Sequence, residues 1–151
     1  MARHPRSALP EFGFFHVVSR GVNRRDIFLA DDDRRFFVGL LNSTMRRCSW
    51  ECHAYCLMGN HFHLVLEAAR EDISGGMHRL NGVYAQSFNA CYGRIGHLFQ
   101  NRFGARLIES ESGLSGTCRY VFDNPVRAGL CAQPEDWPWS GGRAHAALRW
   151  S

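Results

Sequence analysis

Lysine is absent: all 18 basic residues of this 151-residue chain are arginine. Set against 14 acidic residues they leave a net charge of +4. Arginine forks grip phosphate bidentately, so the excess permits a nucleic-acid partner without requiring one. Long apolar runs are also missing. Nothing approaches the ~20 residues of a membrane-spanning helix, and residues 1–10 lack the apolar stretch of a signal peptide; a cytoplasmic protein is expected. No Cys-X2-Cys pair occurs among the six cysteines, Cys48, Cys52, Cys56, Cys91, Cys118 and Cys131. That spacing argues against a zinc knuckle, and reduced thiols of a cytosolic chain are expected to serve as small buried hydrophobes. Cys52 and Cys56, four apart in an apparent strand, are expected to share a face. Internal repeats and linkers are lacking too, so a single domain over residues 1–151 is expected, with 1–11 as a loose arm.

What is present begins with Met58-Gly59-Asn60-His61-Phe62-His63-Leu64-Val65-Leu66-Glu67. Gly59-Asn60 has turn chemistry. After it, Phe62, Leu64 and Leu66 share one parity and His61, His63 and Val65 the other. Strand side chains alternate between faces, so the two histidines stand on one face, about 6–7 Å apart at the backbone. The opposite, apolar face anchors the strand. Two adjacent imidazoles are able to hold a divalent metal, but two ligands do not complete a site.

The remaining pattern reads in chain order. Phe14–Ser19 is aromatic and β-branched, a strand, and Arg20–Arg25 follows as a basic loop suited to phosphate. Asp31-Asp32-Asp33 suits a helix N-terminus, with Phe36, Phe37, Leu40, Leu41 and Met45 at helical spacing. Trp50–Leu57 and His61–Glu67 form a hairpin. Ser74-Gly75-Gly76 precedes a second helix, marked by Met77, Leu80, Val83, Tyr84 and Phe88. Ala105–Ile108 is a fourth strand and Leu114–Asp123 a third helix, which Asn124-Pro125 is expected to close. The tail, Pro134–Ser140, is turn-rich and aromatic. The order β-α-β-β-α-β-α predicts an α+β fold, ferredoxin-like, with an antiparallel sheet and helices on one face.

Residues four apart on a helix share a face, and Tyr120 and Asn124 have that spacing. Asn124 offers a carbonyl oxygen to a metal, and a phenol oxygen beside a metal-bound phosphate is a nucleophile. Spacing alone does not choose Tyr120 among the four tyrosines. For Tyr55, Tyr84 and Tyr92, core packing or base stacking is the expected role.

Four strings carry a resemblance: His16–Arg24 (HVVSRGVNR), Leu57–Leu66 (LMGNHFHLVL), Tyr92–Phe103 (YGRIGHLFQNRF) and Arg119–Leu130 (RYVFDNPVRAGL). In this order they resemble the single-tyrosine HUH transposases, most closely the repeat-associated (REP-associated) tyrosine transposases. The Pro134–Ser140 tail resembles that family's ending. The resemblance implies a divalent metal, Mg2+ or Mn2+, held by His61, His63 and Asn124, with Tyr120 as the catalytic nucleophile. It also implies metal-dependent nicking and strand transfer of single-stranded DNA beside hairpins or extragenic palindromes, through a covalent 5′-phosphotyrosine. A bacterial protein, nucleoid-associated when bound to DNA and acting as monomer or homodimer, is the corresponding expectation. Gly59 stands where relatives commonly have proline, and Gly113 and Gly116 where relatives are more helix-prone. Arg20, Arg24, Arg94 and Arg102 are candidate DNA-backbone contacts, with Phe99 or Tyr92 as stacking partners. Two rival readings are a non-catalytic single-stranded nucleic-acid-binding module and a metal-dependent hydrolase using activated water. The first does not explain why His61, His63, Tyr120 and Asn124 occur together, and the second would turn over without a covalent adduct and would not need Tyr120.

Overall fold

The structure is a computed structural model describing residues 11–100 and 102–148. The expected loose arm, 1–11, therefore lies outside it except for Glu11, whose carbonyl accepts from Arg70 N at 2.7 Å. The elements are β1 (Phe12–Arg20), α1 (Asp31–Cys48), β2 (Glu51–Leu57), β3 (His61–Ala69), α2 (Arg70–Tyr92), β4 (Gly104–Ile108), α3 (Glu111–Arg127), β5 (Ser140–Gly141) and α4 (Arg143–Leu148). The sheet order is β4-β1-β3-β2-β5, and every pairing is antiparallel. The expected α+β class and the order through α3 are present; β5 and α4 are added from the tail. None of the described helices is long and apolar enough to cross a membrane.

Alternation along the two central strands creates two cores. Phe15 and Val17 of β1, with Phe62, Leu64 and Leu66 of β3, bury one face against Phe37 and Leu41 of α1 and Met77, Leu80 and Tyr84 of α2. The other face carries Val65, Ala54, Cys56 and Ile108, covered by Cys118, Val121 and Phe122 of α3. The expectation of helices on one face is thus corrected: α3 lies opposite α1 and α2. The physical reason is the apolar content of the second face, where Val65 is fully buried and needs a cover.

A second correction concerns Cys52 and Cys56. Cys52 pairs with Leu66 and Ala54 with Val65, leaving His53 as an extra residue. This β-bulge inverts the parity. Cys52 joins the α1–α2 core and Cys56 the α3 core, so they do not share a face. Both thiols are buried, in keeping with their expected role.

Helix ends also depart from the sequence pattern. α2 begins at Arg70, directly after β3, and Gly75 and Gly76 lie inside it. A Cβ at Gly76 would stand 2.2 Å from Trp50 Cζ2, so that glycine admits the indole. α3 does not close at Asn124-Pro125 but continues to Arg127. In the last turn Pro125 forfeits a single helical donor, and its buried ring packs with the helix's inner face. The result is that Tyr120, Asn124 and Arg127 ride on one rigid element. At the start of α1 the expected acid role holds: Asp33 Oδ2 accepts from Leu29 N and Ala30 N at 2.9 and 3.0 Å.

Three connections meet at one end of the sheet. Gly21 N donates to Asn60 O (2.8 Å), Val22 N to Leu98 O (2.8 Å) and Gln100 N to Arg20 O (2.9 Å). A Cβ on Gly21 would lie 2.1 Å from Arg25 O, so only glycine permits this close turn. The tail is pinned by Leu57 N donating to Trp139 O at 2.9 Å and Trp137 Nε1 to Leu57 O at 3.1 Å.

Candidate active site

The pairing of β1 with β3 sets His16 opposite Val65, Val18 opposite His63 and Arg20 opposite His61. Paired residues share a face, so His16, Val18 and Arg20 stand with His61 and His63 on the α3 side. The rings of His61 and His63 have centroids 5.0 Å apart, and those of His16 and His63 lie edge to edge with centroids 5.2 Å apart and 21° between planes. Tyr120 closes the group from α3, its ring 6.1 Å from both His16 and His63.

The hydrogen bonds leave particular nitrogens over. His61 Nδ1 lies 2.7 Å from Asn60 Oδ1, which makes Nδ1 the protonated nitrogen and Nε2 the lone pair. His63 Nδ1 lies 2.9 Å from His16 Nε2, while His63 Nε2 is buried with no partner. Asn124 Nδ2 is likewise buried and unpartnered. The two ends of that amide exchange by a half turn, so Oδ1 fits the same place. Burial is the main cause holding all three histidines uncharged: His16 and His61 are lowered to about 4, with Arg106 and Arg20 adding to the respective effects, and His63 to about 2. Neutral imidazole is the metal-ligating form. Among the described residues no three His, Cys, Asp or Glu side chains converge to hold a metal. Neutral imidazole nitrogens and an amide oxygen are donor types that a divalent cation accepts.

Beside this group lies a cavity of about 700 Å³, lined in part by His16, Arg20, His63, Arg102, Arg106 and Tyr120. No Asp or Glu among the described residues lines it, and its three arginines suit a phosphodiester. Gly113, Gly116 and Thr117 of α3 complete the wall. A Cβ on Gly116 would meet nothing within 4 Å. Gly116 therefore leaves room one turn before Tyr120.

Of the candidate arginines, Arg20 and Arg102 reach the cavity. Arg24 sits in the turn 22–24 with φ of 60°, and Arg94 lies 5.6 Å over the Phe88 ring; neither lines the cavity. The stacking role for Phe99 and Tyr92 is corrected. Phe99 is buried in the α1–α2 core, and Tyr92 donates to Asp33 Oδ2 at 2.7 Å and packs on Phe88. Tyr84 is buried and bonded to Ile27 O, Tyr55 packs on the core, and Tyr120 alone among the four is exposed, at 49%. Two participants escaped the sequence reading. His16 was visible as a histidine at the outward parity of a strand whose Phe15 and Val17 face the core. Arg127 follows Tyr120 by seven residues, two helical turns, and was hidden by the expected helix end at Pro125.

Residues 14–124 match the family described as "Transposase IS200 like". The chain belongs to the IS200-like transposases. The match runs from Phe14 within β1 to Asn124 and so contains His16, His61, His63, Tyr120 and Asn124, with Arg127 just beyond it. A Haemophilus influenzae protein named as a REP-associated tyrosine transposase is 24% identical over 139 residues, covering 84% of this chain and 77% of that one. The fold is similar to a REP-associated tyrosine transposase solved bound to a REP hairpin, with TM-score 0.75 and 19% identity over 100% of this chain and 88% of that one. It is also similar to a transposase from Deinococcus radiodurans R1, with TM-score 0.53 and 18% identity over 80% of this chain and 95% of that one. As an IS200-like transposase, this chain is a DNA-acting enzyme.

Proposed function

We propose that this transposase nicks and rejoins single-stranded DNA beside hairpins through a covalent 5′-phosphotyrosine on Tyr120. The observation that carries the reading is Tyr120 itself: the exposed tyrosine, on a rigid helix, 6.1 Å from His63, at an arginine-lined cavity. A divalent metal, Mg2+ or Mn2+, held by His61, His63 and Asn124 would neutralise a non-bridging oxygen of the scissile phosphate.

The chain's own residues do the rest. Arg20 and Arg102 bind the flanking phosphates and set the strand in the cavity. Tyr120 Oη attacks phosphorus as its proton leaves; the Oη–P bond forms, the P–O3′ bond breaks and O3′ takes a proton. The phosphodiester energy is kept in the tyrosyl ester, so attack by another 3′ hydroxyl reverses the step and joins a new strand. Arg127 holds the ring of Tyr120 while this happens. The proposed substrate class is supported by the similar REP-associated transposase that was solved bound to a REP hairpin, and the proposed site of action is the cytoplasm, on nucleoid DNA.

End-labelled single-stranded hairpin DNA, incubated with the full chain and Mn2+ and run on a denaturing gel, tests this. A covalent adduct that maps to Tyr120 by mass spectrometry and vanishes in Tyr120→Phe is expected. Hairpin binding with no adduct would make the chain a binding module. Cleavage without an adduct would make it a water-using hydrolase.

A further inference from the structure

We propose that His16 is a positioning residue: it accepts the Nδ1 proton of His63 and so fixes that ring in the tautomer whose Nε2 lone pair is bare. The starting point is the 2.9 Å contact between His16 Nε2 and His63 Nδ1. A bond between two neutral imidazoles needs one donor and one acceptor, which leaves two arrangements. If His16 donated, His63 would carry its proton on Nε2. That nitrogen is buried and has no protein partner in either arrangement, and an N–H there would close it to the metal proposed above. If His63 donates, its Nε2 presents a lone pair instead, the form a metal takes up.

The backbone makes His16 a stiff support. β1 is a central strand, and His16 is paired on both sides, with Val65 of β3 and Arg106 of β4. His63 lies diagonally across the β1–β3 ladder, two places from the residue opposite His16. With nitrogens 2.9 Å apart, centroids 5.2 Å apart and 21° between planes, the rings meet edge to edge and the hydrogen bond runs close to both ring planes. Both side chains are buried, with 8% and 3% exposure, so water does not compete for the shared proton. His61 has a counterpart device in Asn60 Oδ1, at 2.7 Å. Each candidate imidazole ligand is thus gripped at Nδ1 by a neighbour on the protein, the arrangement by which outer partners orient metal-bound imidazoles.

The tautomer assignment and its consequence for metal affinity both rest on the His61–His63 reading above, but the tautomer is read in the metal-free chain. The test separates the two. Long-range proton–nitrogen correlation spectra of the 15N-labelled full chain, without metal and at pH 7.5, read the tautomer directly. His63 is expected to be protonated on Nδ1 and bare on Nε2. His16→Phe keeps an aromatic ring but removes the acceptor, and should shift His63 toward the Nε2-protonated form. His16→Gln restores an acceptor oxygen and should restore the Nδ1 form, a rescue that a packing role alone would not produce. Calorimetric titration with Mn2+ should then show affinity about 10–100-fold weaker in His16→Phe and recovered in His16→Gln. A wild-type His63 protonated on Nε2 overturns the proposal, as does a His16→Phe spectrum identical to wild type. If His16→Phe does not fold, the wild-type and His16→Gln spectra still decide. Absence of Mn2+ binding by the wild type would remove the metal reading and leave the tautomer result to judge His16.

Discussion

Arg127 holds its guanidinium carbon 4.1 Å from the centroid of the Tyr120 ring, and its Nη2 donates to the Tyr120 carbonyl at 3.1 Å. One side chain thus grips both the backbone and the ring of the proposed nucleophile from two turns down the helix. An exposed contact of this kind contributes about 0.5–1 kcal/mol to stability, too little to decide folding. Its greater effect is to restrict where the phenol oxygen points. Arg127→Leu should therefore lower the single-turnover cleavage rate about tenfold, the equivalent of ~1.4 kcal/mol of misplacement, while the melting temperature changes by a few degrees at most. Arg127→Lys keeps the charge but not the fork and should fall between. A rate for Arg127→Leu equal to wild type would show that the ring needs no such hold.

Gly116 separates the demands of the helix from those of the cavity. Glycine inside a helix costs about 1 kcal/mol relative to alanine, yet it sits one turn before Tyr120 where a Cβ meets open space. Gly116→Ala should raise unfolding free energy by roughly 0.5–1 kcal/mol with little change in DNA binding. Gly116→Leu should keep the helical stability and fill the cavity, weakening binding of single-stranded hairpin DNA measured by fluorescence anisotropy. Undiminished binding by Gly116→Leu would move the strand's path away from α3.

Much of this architecture was legible in the sequence, because period-two alternation is strong where both faces of a strand are occupied. The parity of His61, Phe62, His63 and Leu64 alone separates site from core. What was not legible traces to single residues whose meaning is tertiary. His53 is an ordinary residue until it becomes the bulge that sends Cys52 and Cys56 to opposite faces. Gly76 resembles a helix start until Trp50 occupies its missing side chain. Pro125 carries a local stop signal that the buried face of α3 overrides, and with it the reach of the helix to Arg127 was lost. His16 was seen as part of a strand, but its bond to His63 depends on a diagonal across the β1–β3 register, which no local pattern encodes.

Acid should destabilise the fold before carboxylates begin to protonate. Burial is the main cause lowering His16 and His61 to about 4 and His63 to about 2, from an ordinary 6.5. A histidine with a depressed folded pKa takes fewer protons in the folded than in the unfolded chain between those values. Stability then rises with pH in that window. The contribution is complete above about 6.5 and is lost progressively as pH falls toward the folded values. The melting temperature should fall steadily from pH 6.5 to pH 5 in metal-free buffer. His63→Gln should flatten that slope, since the most strongly shifted group no longer titrates. A slope equal to wild type in His63→Gln would assign the acid sensitivity to other groups.

Removal of the proposed ligands should separate into two behaviours. His61 and His63 supply the nitrogens, and the fold is anchored by the opposite parity of β3, where Phe62, Leu64 and Leu66 are fully buried. The double variant His61→Ala, His63→Ala should keep a cooperative thermal transition and lose measurable Mn2+ binding by calorimetry, with cleavage abolished. Asn124→Ala removes one neutral oxygen from the set while leaving both imidazoles, so its metal affinity should fall without disappearing. Raising Mn2+ should then restore part of the cleavage in Asn124→Ala and none in the double variant. Hairpin affinity should survive in both, because Arg20 and Arg102 are untouched and phosphate contacts dominate binding. Tight Mn2+ binding by the double variant would take the metal off β3 altogether. Rescue of the double variant by excess Mn2+, matched to that of Asn124→Ala, would mean that the imidazoles and the amide contribute alike.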